Sequence, residues 1–496
     1  MKKKKLIAAL CFLLTLVMVT AFTGEIEVGA ITSLPYDSYN YDYRENIHYT
    51  PAPYEPAGMV VGTELYYNGE SIGALKTPQD ICKSPDGNIY VADTGNNRVV
   101  VLDSTLTKVV DVITSFNNNG NEDTFSQPYG VAVSEKGNLY VADNLNKRVV
   151  VLDKDKNVIL IVENPQSITL GNNFVFQPLK VTVDYADRIY VIAQGQFEGI
   201  MVFDTNGEFT NFFGTIGVNL SLWQKFWRRM ATKEERANQQ LYIPTEFTGI
   251  DVDPEGFIYA TNIDPNGIQA VRRLNPNGQD VIRKGENENV GGDLQTAGTS
   301  DYAGVSQFVD VVYRENGIYS CLDRKRGRIF TYDNEGNLLY IFGGRGTQEG
   351  TFELPVAIET VDVGLAVLDA TRGGIILFQV TEYGRLINEA VGLRFDGDEA
   401  EAVGLWERVL ELDEDNELAN SGIGKAYLTA GEYKTAMKYL RLAMNRDYYS
   451  IAFKRYRNEL LKDNANAFLT ILLVIIIGIN VFKFVKKRKK GVAADE

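Results

Sequence analysis

The sequence predicts a mainly β fold: a six-bladed β-propeller, then a short α-helical segment and one transmembrane helix. Three observations carry this. A β-rich motif recurs six times through the middle of the chain, the apolar periodicity turns from strand to helix after Thr381, and a long apolar stretch precedes a basic C-terminal tail. The chain has 496 residues, 45% hydrophobic and 23% charged, enough for several domains with cores of their own and too apolar to be disordered throughout.

Taken in order, Lys2 to Lys5 form a positive run ahead of apolar Leu6 to Val19, and Val19-Thr20-Ala21 offers small or aliphatic residues before a cleavage point. This is the grammar of a secretory signal peptide, expected at 1–21, with a second cleavage point at Val28-Gly29-Ala30 and an uncleaved anchor as the competing reading. Residues 22–58 form a leader rich in tyrosine (Tyr36, Tyr39, Tyr41, Tyr43, Tyr49, Tyr54) and proline (Pro51, Pro53, Pro56). Its low hydrophobic density predicts an extended strap or a disordered linker, and tyrosines free to stack on sugars are the alternative.

Next comes the repeat, expected to occupy 59–381. Three close copies run Pro78–Asp103, Pro128–Asp153 and Pro178–Asp204, each offset by 50, and weaker ones run Phe247–Asn275, Phe308–Asp333 and Pro355–Val380. Each holds three short β-rich runs, in the second copy Val131–Val133, Leu139–Ala142 and Arg148–Leu152, separated by turn residues such as Glu135-Lys136-Gly137-Asn138. Such small sheets cannot bury both faces alone; radial packing solves that and hides their edges. The sixth copy lacks a fourth strand, and Met59-Val60-Val61-Gly62 has the character to supply it, closing the ring.

YVADTGNNRVVVLD and YVADNLNKRVVVLD resemble NHL repeats, whose signature sets an Asp after the second strand with an Asn and an Arg opening the third. Here these are Asp93, Asn96 and Arg98, then Asp143, Asn146 and Arg148; copy five keeps Asp323 and Arg328, copy six keeps Asp369, and copy three departs with Ala193. The resemblance implies the propeller fold and a structural role for these residues, and it names no activity.

Between copies three and four, a helical insertion is expected at 217–240, with Trp223, Phe226, Trp227 and Met230 at helical spacing. A helix docked on the propeller is one reading; a partner-binding anchor is the other, because Trp and Arg lead at binding hot spots. The segment 382–462 resembles TPR units through Ala402, Trp406, Gly424, Tyr427, Gly431, Ala436 and Ala443, small residues letting paired helices approach closely. It is read either as a partner surface or as a stalk, with 448–462 capping the stack. Residues 467–485 suffice to cross a bilayer, and 486–496 begin with Lys486-Lys487-Arg488-Lys489-Lys490, which marks a cytoplasmic flank. The expected location is therefore the cell membrane, single-pass, with the N-terminal part outside and a short tail inside.

Charge and chemistry narrow the function. The formal net charge is −15, and setting aside the basic residues at 2–5 and 483–490 with Asp495 and Glu496 leaves about −23 for the rest, which argues against nucleic acid or anionic lipid headgroups as partners. The one histidine, His48, lies in the leader; Cys82 and Cys321 fall in blades too far apart to pair. Neither zinc spacing, a nucleotide loop nor a Ser/His/Asp set occurs, so no cofactor, metal ligand or catalytic residue is assigned. Asp80, Asp251, Asp310, Glu246 and Glu359 are expected near the propeller axis. The expected function is recognition of a protein or glycan outside the cell, with a membrane protein as a further candidate partner; the chain resembles bacterial membrane-anchored NHL/TPR proteins, which suggests an accessory of a transport assembly. The alternative is a metal-dependent lactonase- or lyase-like propeller enzyme.

Overall fold

A computed structural model of the chain describes residues 34–492, apart from 164, 166–169, 171–173, 216–245, 265–266, 268, 285–289, 295 and 297–301. The expected signal peptide and the insertion with Trp223, Phe226, Trp227 and Met230 lie outside the described residues.

Six antiparallel sheets follow one another as blades. Blade 1 consists of Asp80–Lys83, Ile89–Asp93, Arg98–Leu102 and Val109–Ile113, and blade 2 of Pro128–Val133, Leu139–Asp143, Arg148–Leu152 and Val158–Glu163. Blade 3 spans Pro178–Val183 to Phe209–Phe213, blade 4 has three described strands from Phe247–Val252 to Val271–Leu274, blade 5 begins at Phe308–Tyr313, and blade 6 at Pro355–Val361. The middle strands read as unbroken apolar runs because both faces are covered. Val149 and Val151 pack towards blade 3, whereas Val150 and Leu152 pack towards blade 1. Strand alternation thus turns one run, Val-Val-Val-Leu, into two inter-blade cores, each fully buried valine stabilising by about 1.5–3 kcal/mol.

Closure comes from the N-terminal segment. Strand β1 (Tyr39–Tyr41) and β2 (Ile47–Tyr49) form a hairpin whose β1 meets the outer edge of blade 5, and β3 (Tyr54–Val61) is the fourth strand of blade 6. Val61, Val60 and Met59 face Gly374, Ile375 and Ile376, the pairing anticipated from the sequence, but the strand begins at Tyr54 inside the expected leader. The described leader tyrosines are mostly core rather than free strap: Tyr36, Tyr39, Tyr41 and Tyr54 are buried, and Tyr54 stacks on Phe342 with centroids 4.8 Å apart. Their hydroxyls remain satisfied, as when Tyr36 donates to the Tyr54 carbonyl at 3.0 Å, so an aromatic strap is buried without stranding its polar ends.

Five helices leave blade 6 in succession: α1 (Glu382–Asp396), α2 (Glu399–Leu412), α3 (Glu417–Thr429), α4 (Tyr433–Leu442) and α5 (Arg446–Asp463). Thr381 caps α1 by accepting from the Gly384 N–H. Small residues set the spacing: a methyl on Gly422 would lie 2.5 Å from Trp406 Nε1, and one on Gly424 would lie 2.6 Å from Leu440 Cγ. The helices are pinned to blade 5 where Arg394 and Lys425 both reach Glu335 and Tyr340 donates to Asn388 at 2.8 Å. Helix α6 (Ala465–Val492) follows; its stretch Ala465–Phe484 has mean hydropathy 2.4 and no buried residue, so it is long and apolar enough to cross a membrane.

Candidate functional site

Two cavities and a recurring set of buried carboxylates are the places where chemistry-bearing side chains gather. The carboxylates at the second-strand ends come first, because they define the repeat. Asp93 Oδ2 accepts from Asn96 Nδ2 at 2.8 Å and Arg98 Nε at 2.7 Å, while Oδ1 accepts the Lys76 backbone N–H at 2.7 Å. Asp143 repeats this with Asn146 (2.8 Å), Arg148 (2.9 Å) and the Ser126 N–H (2.7 Å). Each lashes the loop entering its blade to the turn between strands two and three, and burial holds the Asp143 carboxyl above its ordinary value against those bonds. Asp369 does the same with backbone alone, accepting from Glu353 at 2.7 Å and Leu354 at 3.1 Å. In blade 5 the spacing misleads: Asp323 takes Arg326 at 3.4 Å, while Arg328 turns to Tyr39 and Asp293, both at 2.5 Å. Asp293, from the segment between blades 4 and 5, and Tyr39 of the strap together take Arg328 from the local carboxylate.

The axial cavity, about 540 Å³, is lined by the six inner strands. Register places Asp80, Gly130, Lys180, Gly249, Asp310 and Ala357 at equivalent positions in blades 1 to 6, charged and small residues alternating round the ring. The glycines are required: a Cβ on Gly130 would lie 2.8 Å from Lys180 Cα, and one on Gly249 would lie 2.5 Å from Asp310 Cα. Lys180 Nζ bridges Asp80 Oδ1 at 2.5 Å and Asp310 Oδ1 at 3.3 Å. Burial pushes both carboxyls up and Lys180 draws them back, whereas the two carboxylates together raise Lys180 and keep it charged despite its burial.

One layer nearer the mouth, the equivalent positions are Cys82, Ala132, Thr182, Asp251, Val312 and Glu359. Burial raises Asp251 well above the carboxylate range, Glu359 adding to it, and burial likewise raises Glu359. Both carboxylates have a structural use. Asp251 accepts the Tyr313 N–H at 2.6 Å and Glu359 the Lys83 N–H at 3.0 Å; one layer deeper, Asp80 accepts from Val131 at 2.9 Å and Asp310 from Ile358 at 3.0 Å. Each bond runs from one blade's inner strand to the next blade's, so four of the six seams, including the closing seam between blades 6 and 1, are stitched by a carboxylate. Glu246, expected at the same level, instead accepts the Gly195 N–H at 2.9 Å and does not line the cavity. Among the described residues no three His, Cys, Asp or Glu side chains converge on a metal position. The constellation does not fit an axial metal: a lysine ammonium bridges the two deepest carboxylates, and the next two, Asp251 and Glu359, each accept a backbone N–H of the following blade.

A second cavity of about 570 Å³ separates the hairpin and blade 5 from α2, α3 and α4, with Tyr41, Tyr43, His48, Glu414, Asp415 and Tyr439 among its walls. His48 Nε2 lies 2.9 Å from buried Asp413 Oδ1, whose Oδ2 accepts from Tyr383 at 3.0 Å and Asn416 at 2.9 Å. The only histidine thus clasps the strap to the helices. Sequence reasoning placed no site here, because the cleft exists only once the leader folds back onto blade 5. Cys82 and Cys321 are both free thiols, as their blades imply.

Fold and repeat geometry together define the class: a six-bladed β-propeller carrying C-terminal helices. The NHL repeat family model matches residues 75–102 and 125–152, which cover the first two copies of the repeat. No curated protein sequence matches the chain. Among solved structures, a streptogramin B lyase is 12% identical with TM-score 0.39, covering 66% of this chain and 97% of its own. A virginiamycin B lyase from Staphylococcus aureus with quinupristin is 11% identical with TM-score 0.39, covering 71% and 97%. A protein of unknown function from Bacteroides caccae is 9% identical with TM-score 0.36, covering 66% and 99%. These likenesses are too distant to carry a site or an activity to this chain.

Proposed function

We propose that this is a membrane-anchored binding or scaffold protein whose propeller and helices together recognise a protein or glycan outside the cell. The observation that carries the reading is the use made of the axial carboxylates: Asp80 and Asp310 hold Lys180, and Asp251 and Glu359 hold the backbone of neighbouring blades. Residues committed in this way make a rigid ring and leave little for acid–base or metal chemistry, whereas rigid loops on a closed scaffold suit recognition. The apolar stretch Ala465–Phe484 of α6, followed in the same helix by Lys486 to Lys490, supports an anchor with its basic end inside. The cleft between strap and helices, with Tyr43 at 41% exposure, is the second candidate surface beside the aromatic insertion at 217–240.

The test is affinity capture with the full chain from detergent-solubilised native membranes, against the triple variant Trp223→Ala, Phe226→Ala, Trp227→Ala. A membrane protein captured by the first and lost from the second makes this an assembly subunit. A soluble ligand of the ectodomain with no membrane partner makes it a receptor. Turnover of a lactone substrate that depends on added metal would overturn the binding reading.

A further inference from the structure

We propose that the C-terminal half of α5, from Phe453 to Asp463, lies in the headgroup layer of an anionic membrane leaflet and seats the ectodomain on the bilayer; this rests on reading α6 as the membrane span. Helix α5 changes character midway. Its first half belongs to the helical core: Ala452 is fully buried, Tyr448 and Tyr449 pack beside it, and Lys425 Nζ lies 4.4 Å from the Tyr448 ring centroid. From Phe453 onward only Tyr456 is even partly covered, and Phe453, Leu460 and Leu461 are 47%, 43% and 48% exposed. Eleven residues of helix, about 16 Å, therefore project beyond the packed module with large apolar side chains bare.

Their arrangement is directional. At helical spacing Phe453, Tyr456 and Leu460 share one stripe, and Arg457, Leu461 and Lys454 follow on its flank, while Glu459 and Asp463 lie on the far side from Lys454 and Arg457. The stripe has Arg457 and Lys454 along one edge and Glu459 and Asp463 along the other, so the helix fits a bilayer interface when rolled towards its basic edge: rings and leucines enter the acyl boundary as the Lys and Arg stems snorkel to phosphates and the two carboxylates turn to water. The charge is complementary to anionic lipid and opposite to the rest of the molecule. Residues 453–463 carry Lys454, Arg455, Arg457 and Lys462 against Glu459 and Asp463, in a chain of net charge −15. Position makes the same point, since only Asn464 separates α5 from α6, and a span beginning at Ala465 holds the last turns of α5 at the membrane surface.

The test is hydrogen exchange, read by mass spectrometry, on the full chain in nanodiscs of phosphatidylcholine and of phosphatidylcholine with one-quarter phosphatidylglycerol. Amides of 453–463 are expected to exchange about tenfold more slowly in the anionic discs, an effect lost in the Lys454→Gln, Arg457→Gln variant and weakened by salt. Residues 467–485 serve as the control, protected in both discs. If they stay protected while 453–463 exchange alike in both lipids, the proposal falls and the span stands. Protection of 453–463 that rises with copies per disc, whatever the lipid, assigns the stripe to a second copy and overturns it as well. Free exchange across 467–485 overturns the span and the proposal together.

Discussion

Lys180 and Asp80, one hundred residues apart in sequence and two blades apart in the ring, meet at 2.5 Å on the propeller axis. The contact joins blade 3 to blade 1, and Asp310 extends it to blade 5. Lys180→Met would leave two buried carboxylates facing each other without a cation. The expected loss in urea unfolding is about 3–5 kcal/mol. Replacing the whole set, Asp80→Asn, Lys180→Met and Asp310→Asn, should recover most of it, because each Asn oxygen can still accept the Val131 or Ile358 N–H. A single-variant loss near zero would remove the axial contact from the account.

The layer above gives a pH dependence. Asp251 and Glu359 both have folded pKa values above their unfolded ones, chiefly through burial. The folded state therefore binds more protons than the unfolded state between the ordinary carboxylate value and the raised one. Their contribution is complete below the ordinary value and is lost as pH rises through the raised one. Tm should climb as pH is lowered from 7 towards 5, and Asp251→Asn with Glu359→Gln should flatten that slope. An unchanged slope would contradict the assignment.

The repeat signature predicts unequal costs for equivalent substitutions. Arg148 has a second carboxylate, Asp123, at 2.8 Å, whose own pKa that pairing lowers to about 2. Arg98 has only Asp93 among the described residues. Asp143→Ala should destabilise by about 2 kcal/mol, and Asp93→Ala by about 1 kcal/mol more, since it strands a largely buried guanidinium. Equal losses in urea titrations would show that backbone lashing, not the arginine, dominates.

Packing among the helices gives a fourth expectation. Gly422→Ala, despite the better helix propensity of alanine, should lower stability by about 1–3 kcal/mol, because Trp406 is fully buried and has no room to retreat. Far-UV circular dichroism at rising temperature would show it as an earlier loss of helix, and an unchanged or later transition would refute it.

The fold was legible because strand period and turn residues are local signals repeated six times, the first three copies at a constant offset of 50 residues. The Asp93 and Asp143 sets were legible for the same reason: all three side chains lie within six residues. Arg328 was misassigned because its competitor, the Tyr39 and Asp293 pair, is distant in sequence and visible only when the leader folds onto blade 5. The leader looked too polar to bury, yet tyrosine has an apolar ring whose hydroxyl can be satisfied separately. Lys180 was missed although a signal existed. It stands 50 residues after Gly130 and 100 after Asp80, so laying the copies in register brings a cation opposite two acids.

The claim at the centre of this account is that the axis is structural and the protein binds rather than turns over a ligand. Thermal unfolding of the full chain under calcium or manganese titration tests it most directly. With Lys180 holding the axis, Tm should show no saturable rise with either ion. A saturable rise, abolished by Asp251→Asn or Glu359→Gln, would place a metal among the channel carboxylates and contradict the account.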